Sequence, residues 1–218
     1  DNQSGSGCSS KTATKGGTWG DLCTPSRTGY TFGGWYTSTG GGGTKVTSSS
    51  TVSGDLKVYA KWTAYTYTIA YNTNTSCTYG SNCTLRSNAF TKTGHSFSGW
   101  AKSASGSVSY SNGATVSNLT STNGGTVTLY AKWSANGYTI AYNSNGGSGS
   151  MSNTSCTYGS NCTLRSNSFT KSNATFKGWS TSSSATSASY GNGATVSNLT
   201  TSGTVTLYAV WEVQTTIY

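Results

Sequence analysis

The segment Thr75–Asn88 reads TSCTYGSNCTLRSN, and Thr154–Asn167 repeats the same fourteen letters. Identity over that length means that one local structure is encoded twice, so the chain is first of all a tandem array. Two further blocks recur in the same order. Phe97–Trp100 and Phe176–Trp179 share Phe-x-Gly-Trp, while Asn112–Thr120 and Asn192–Thr200 both read NGATVSNLT. The copies close on Thr126–Trp133 (TVTLYAKW) and Thr204–Trp211 (TVTLYAVW). A more diverged copy precedes them, with Thr18–Cys23 (TWGDLC) standing for TYGSNC, then Phe32–Trp35 (FGGW) and Leu56–Trp62 (LKVYAKW). The pattern predicts repeats at 1–62, 63–133 and 134–211, and leaves 212–218 over.

Periodicity makes the repeats β-structure. In the closing segment Val127, Leu129, Ala131 and Trp133 alternate with Thr128, Tyr130 and Lys132, as a half-buried strand requires. The opening segments Tyr67–Asn72 and Tyr138–Asn143 (both YTIAYN) alternate likewise. Stretches rich in Gly and Ser, such as Gly40–Gly43 and Ser180–Ser189, supply turns. Small repeats need large aromatic side chains to bury enough apolar area. The expected core is therefore Phe32, Trp35 and Trp62, then Phe97, Trp100 and Trp133, then Phe176, Trp179 and Trp211.

Only 8% of residues are charged, against roughly 25% in a typical soluble domain, while 12% are aromatic. The aromatics argue against disorder. The net charge of +9 is scattered with no basic run, so nucleic acid is not an expected partner, and solubility with weak attraction to anionic cell-wall or host polymers is. No run approaches the ~20 apolar residues of a membrane-spanning helix, so membrane insertion is not expected. A secreted form would have lost its leader and would carry any anchor elsewhere.

Each repeat holds two cysteines: Cys8 and Cys23, Cys77 and Cys83, Cys156 and Cys162. By letter, the second of each pair occupies one repeat position and the first does not. The reading is three bridges, one within each repeat, worth roughly 2–3 kcal/mol each. Two Cys per repeat and the lone His95 do not make tetrahedral zinc sites, and no Cys-x-x-Cys points to redox chemistry. Structural bridges place the chain outside the reducing cytosol.

Catalytic groups are sparse. The carboxylates Asp1, Asp21, Asp55 and Glu212 are far apart in sequence, and no phosphate loop appears. His95 stands where the first copy has Tyr30 and the third Ala174, which reads as a position that tolerates variation. The expectation is no enzyme activity and no cofactor. The Asn-x-Ser/Thr sequons, among them Asn74, Asn118, Asn173 and Asn198, permit glycosylation but arise from composition.

Phe-x-Gly-Trp, a small polar loop, Asn-Gly-Ala-Thr-Val and then Val-Thr-Leu-Tyr-Ala-x-Trp resemble the Listeria–Bacteroides repeat, akin to the B repeats of internalin-type proteins. The resemblance implies mainly β structure in three tandem, small β-grasp-like modules. It also implies secreted or wall-attached bacterial proteins at the cell surface, without catalytic residues to transfer.

The first copy begins Asp1-Asn2-Gln3, which matches the stretch just after the opening strand in the other copies, so its own first strand is missing. The leftover Glu212–Tyr218 (EVQTTIY) resembles that strand, with Tyr218 in the role of Tyr71 and Tyr142. A sheet short of one strand exposes backbone groups and core. One expectation is therefore donor-strand exchange, with Val213, Thr215, Thr216, Ile217 and Tyr218 of one subunit completing the repeat that begins at Asp1 of the next. That contact builds a head-to-tail homopolymer, an extracellular filament. The alternatives are one period of a longer covalent array, or a tail folded onto its own first repeat. A different class of function is an adhesin binding host glycan or protein, for which Trp19 is the candidate, its counterparts by letter being Tyr79 and Tyr158.

Overall fold

A computed structural model of the chain describes residues 7–71 and 74–215. Apart from a 3-10 turn at Thr39–Gly41, its regular elements are strands. The first repeat contains β1 (Tyr30–Tyr36), β2 (Lys45–Val46) and β3 (Tyr59–Ala64). The second contains β4 (Thr66–Ala70), β5 (Thr75–Thr78), β6 (Cys83–Thr84), β7 (His95–Ala101), β8 (Thr115–Val116), β9 (Thr126–Thr128) and β10 (Tyr130–Ala135). The third contains β11 (Gly137–Asn143), β12 (Thr154–Thr157), β13 (Cys162–Thr163), β14 (Ala174–Ser180), β15 (Thr195–Val196) and β16 (Gly203–Val213). The chain divides into two compact units, residues 1–89 with 100–131 and residues 90–99 with 132–218. The division runs through the second repeat, along β7 and β10, and not between repeats.

The third repeat shows the design in full. Its sheet has the order β12-β11-β16-β14. The central pair β11–β16 is parallel, with Ile140 opposite Val205, and the two outer pairs are antiparallel. Alternation puts Tyr138, Ile140, Leu207 and Ala209 on the core side, and all four are buried. In a regular strand, Phe176 and Trp179, three residues apart, would face opposite sides. A bulge between Phe176 and Gly178 resets the alternation, so both rings meet with centroids 4.9 Å apart, and Phe176 also meets Trp211 at 5.6 Å. Gly178 has φ 139°, and a Cβ there would strike the Tyr190 carbonyl, which explains the Gly of Phe-x-Gly-Trp.

The two longest duplicated blocks hold each other. Cys162 pairs with Val196 and Thr163 with Thr195, and the Leu164 N–H donates to the Ala194 carbonyl at 2.9 Å. Asn192 Oδ1 accepts the Asn167 N–H at 2.7 Å, and Asn198 Oδ1 accepts the Gly159 N–H at 2.6 Å. The second repeat copies this through Asn112 with Asn88 and Asn118 with Gly80. Asn118 and Asn198, which carry sequons, thus latch two turns together. From the opening strand, the Tyr142 hydroxyl accepts the Arg165 N–H at 2.9 Å and Tyr71 accepts that of Arg86 at 2.7 Å.

In the second repeat β4 pairs antiparallel with β5 and parallel with β9, and β7 pairs with β10. Its opening strand ends at Ala70, short of the expected Asn72, which lies outside the described residues. The closing strand is interrupted at Leu129 here and is continuous in the third repeat. Bridges join Cys8 to Cys23, Cys77 to Cys83 and Cys156 to Cys162, one in each repeat.

Candidate functional site: an open core in the first repeat

The first repeat stops at a three-stranded sheet, β2-β1-β3. β3 begins at Tyr59 and not at Leu56 as the sequence pattern predicts. Leu56 and Val58 match Val127 and Leu129 of the second repeat and Val205 and Leu207 of the third. In those repeats the stretch lies against the opening strand, as in Ile69–Val127 and Tyr142–Leu207. In the first repeat no strand among the described residues pairs with it. Leu56 is 43% exposed and Val58 half-buried, whereas Leu129 and Leu207 are buried.

The aromatic side chains among the described residues differ in the same way. Trp100 and Trp179 are 1% and 0% exposed, and each is packed by the tyrosine of an opening strand, Tyr71 at 5.0 Å and Tyr142 at 4.9 Å. Trp35, at the same motif position, is only half-buried. Phe32 meets Trp35 at 5.4 Å and Trp62 at 5.5 Å, and the Trp35 Nε1 donates to the Cys23 carbonyl at 2.8 Å. The remaining surface of Trp35 lines two clefts. One, of about 800 Å³, is walled by Cys8, Trp19, Leu22, Val46, Leu56 and Val58. The other, of about 620 Å³, is walled by Pro25, Tyr30, Val58, Tyr59 and Trp62. The expected core residues Phe97, Trp133, Phe176 and Trp211 are half-buried, with Phe97 and Trp133 5.6 Å apart. Trp211 donates through Nε1 to the Ser144 carbonyl at 2.8 Å.

Four sequence expectations change. The letters align the first copy through TWGDLC, but Thr18 bridges Thr51 as Thr84 pairs with Thr115, and the Trp19 N–H bonds the Ser50 carbonyl as that of Leu85 bonds Ala114. Thr18 therefore answers to Thr84, and Trp19 to Leu85 and Leu164 and not to Tyr79 and Tyr158. Cys23 comes five residues later and is not equivalent to Cys83, so the cysteine match by letter is a coincidence of spacing. Asp21 and Asp55, distant in sequence, line the same larger cleft together with Lys11. The donor segment also starts later than expected. Glu212 and Val213 belong to β16, opposite Thr175 and Ala174, and the Gln214 N–H donates to the Asn173 carbonyl at 2.7 Å. Their backbone is committed to their own sheet, which leaves Thr215 onward. Asp1, Asn2, Gln3, Thr216, Ile217 and Tyr218 lie outside the described residues.

The fourth change concerns His95. This position, which the sequence alone reads as idle, is in contact with the following repeat, its ring edge-on to Tyr158 at 5.9 Å. A signal was available in the sequence: the residue before it is Gly in the first two copies and Asn in the third.

Comparison with known proteins places the whole array. Residues 1–61, 67–132 and 138–210 each match the Listeria-Bacteroides repeat domain. A protein of Evansella cellulosilytica named "Putative Gly-rich membrane protein" is 32% identical over 134 residues, covering 57% of this chain and 14% of its own length. Another from that organism, named "Putative membrane protein", is 32% identical over 128 residues, covering 56% of this chain and 18% of its own. The chain thus spans a small part of the length of these relatives. No solved structure matches. Among the described residues no helix is long and apolar enough to cross a membrane.

Proposed function

The chain belongs to the Listeria–Bacteroides repeat domain family, and on that premise we propose that it is a non-enzymatic structural segment of a bacterial cell-surface protein whose first repeat accepts an extended strand from another copy. The observation that carries this is the half-buried Trp35 beside the stretch Leu56–Val58, with which no strand among the described residues pairs. In the other repeats that place holds Ile69 and Tyr71, or Ile140 and Tyr142. The occupant is therefore an alternating strand with inward apolar or aromatic side chains, bound by backbone pairing and filled pockets. The donor is the segment beginning at Thr215. Trp62 and Trp133 precede the opening strand of the next repeat by the same spacing, which in the third repeat falls at Thr215. Counted so, Thr216 and Tyr218 align by number with Tyr67 and Ile69, and not Tyr218 with Tyr71 as the letters suggest. Head-to-tail donation of this kind propagates a filament. The strand order β12-β11-β16-β14 supports the β-grasp-like reading of the third module.

Two synthetic peptides test the reading, one of residues 212–218 and one of residues 137–143, each titrated into the full chain. Amide shifts confined to the first repeat, with loss of polymer on sedimentation when 215–218 are deleted, are the expected result. Binding of the 137–143 peptide without any effect of the deletion means that preceding chain supplies the strand, as the greater length of the relatives favours. Binding of neither peptide overturns the acceptor. A second reading rests on Trp19, Trp35, Asp21 and Asp55 sharing one cleft, an aromatic-and-carboxylate arrangement suited to a surface glycan. Saturable binding on a glycan panel, lost with Trp19→Ala, selects it.

A further inference from the structure

We propose that consecutive repeats are locked by a glycine–tyrosine joint, and that Asn173 closes this series at the exit of the third repeat. At the first junction the Tyr65 N–H donates to the Gly29 carbonyl and the Tyr79 N–H donates to the Tyr65 carbonyl, both at 2.8 Å. At the second, Asn136 bonds Gly94 and Tyr158 bonds Asn136 in the same way and at the same distances. One linker residue thus stitches a turn of the preceding repeat to the Tyr-Gly hairpin of the following one. The side chains complete the joint. A Cβ on Gly29 would fall within the ring of Tyr79, and one on Gly94 within the ring of Tyr158. Both glycines also have left-handed φ, 80° and 66°. Each tyrosine ring therefore lies directly on a glycine Cα, with a second ring edge-on, Tyr30 at 5.7 Å or His95 at 5.9 Å. Asn136 adds bonds from the Ser96 hydroxyl at 2.6 Å and to the Thr201 carbonyl at 3.1 Å.

The third repeat repeats the backbone half of this device and changes the other half. Gln214 bonds Asn173 as Tyr65 bonds Gly29 and Asn136 bonds Gly94. Asn173 keeps the left-handed φ, at 53°, but carries the Cβ that a tyrosine ring cannot share. Ala174 replaces the edge-on aromatic. In the first repeat, residues 7–17, which precede Thr18 as Tyr79 precedes Thr84, contain no aromatic residue to act as the incoming ring. The joint chemistry is present at both junctions between these repeats, and Asn173 alters it at the exit of the third. The surface around Gly29 or Gly94 fits a Tyr-Gly turn of a following repeat, and the surface at Asn173 does not.

The test is Gly94→Asn in the full chain, which installs the residue that the third repeat accommodates at the same φ. In the unaltered protein the Gly29 and Gly94 Hα resonances lie upfield, under the tyrosine ring current, and the Tyr158 amide resists exchange. In Gly94→Asn the Tyr158 amide loses about tenfold in protection, the effect of one hydrogen bond, while the Asn136 amide, whose bond the third repeat keeps with Asn at this position, and the core amides of β11 and β16 keep theirs. Tyr158→Phe retains the shift and the protection; Tyr158→Ala loses both. The reciprocal test fuses a second copy of residues 138–215 directly after Thr215, so that its Tyr138 stands five residues beyond Trp211, as in the other junctions. Its Tyr158 equivalent is expected to be protected only when Asn173→Gly and Ala174→His are also made. Unchanged protection in Gly94→Asn, or protection of the appended copy behind Asn173, overturns the proposal.

Discussion

Asn198 separates backbone strain from hydrogen bonding in a single residue. Its φ is 55°, and its Oδ1 accepts the Gly159 N–H at 2.6 Å. The left-handed region costs an ordinary L-residue roughly 1–2 kcal/mol, part of which Asn escapes. The hydrogen bond contributes about 1 kcal/mol at an exposed turn. Asn198→Ala loses both advantages and is expected to destabilise the third repeat by about 2 kcal/mol. Asn198→Gly loses the bond and accepts the φ freely, while its unfolded chain gains about 0.5 kcal/mol of entropy, so the net loss is about 1.5 kcal/mol. Asn198→Asp keeps the acceptor and the tolerance of positive φ, and stays within about 0.5 kcal/mol of the parent. Native-state hydrogen exchange at core amides of β11 and β16 reads the third repeat separately from the others. The expected order of stability is Asn, then Asp close behind, then Gly, then Ala. A loss in Ala no greater than in Gly refutes the argument from φ, and an Asp variant as weak as Ala refutes the latch.

Burial and hydrogen bonding give two further expected outcomes. Cys8 and Cys23 are exposed while Cys156 and Cys162 are buried, so mild reduction followed by thiol labelling and mass spectrometry should mark Cys8 and Cys23 first; earlier labelling of Cys156 and Cys162 contradicts this. Tyr142→Phe removes the acceptor of the Arg165 N–H and the partner of the Thr154 hydroxyl at 2.9 Å, and should cost about 1–2 kcal/mol in the same exchange assay.

Much of this was legible in the letters wherever one copy could be laid on another. The duplicated TSCTYGSNCTLRSN and NGATVSNLT blocks announce two identical structures, and they turn out to bind each other through Asn192 and Asn198. The alternation of Val205, Leu207 and Ala209 marks the buried face of β16. The first copy misled because Trp and Cys drew the eye to TWGDLC, while strand register is set by the pairing of Thr18 with Thr51. The Gly29–Tyr79 and Gly94–Tyr158 contacts were invisible for a different reason. They join unlike positions of successive copies, so comparing like positions shows only that Tyr30, His95 and Ala174 differ.

Among the described residues no strand closes the first repeat as β4 and β11 close the others, and its bridge helps to hold its rim in place. The opening strand would bury an isoleucine and a tyrosine against Trp35, each worth roughly 2 kcal/mol. Cys8 and Cys23 are separated by 15 residues, where the other bridges span 6. Chain entropy assigns the longer loop about 3 kcal/mol and the shorter ones about 2.4 kcal/mol. The longer bridge thus adds about 0.6 kcal/mol over the shorter ones, a small part of the roughly 4 kcal/mol of that burial. It also ties the segment before Lys11 to the carbonyl that receives the Trp35 Nε1 hydrogen bond. The position of the bridge, more than the length of its loop, is what steadies the described rim of this repeat.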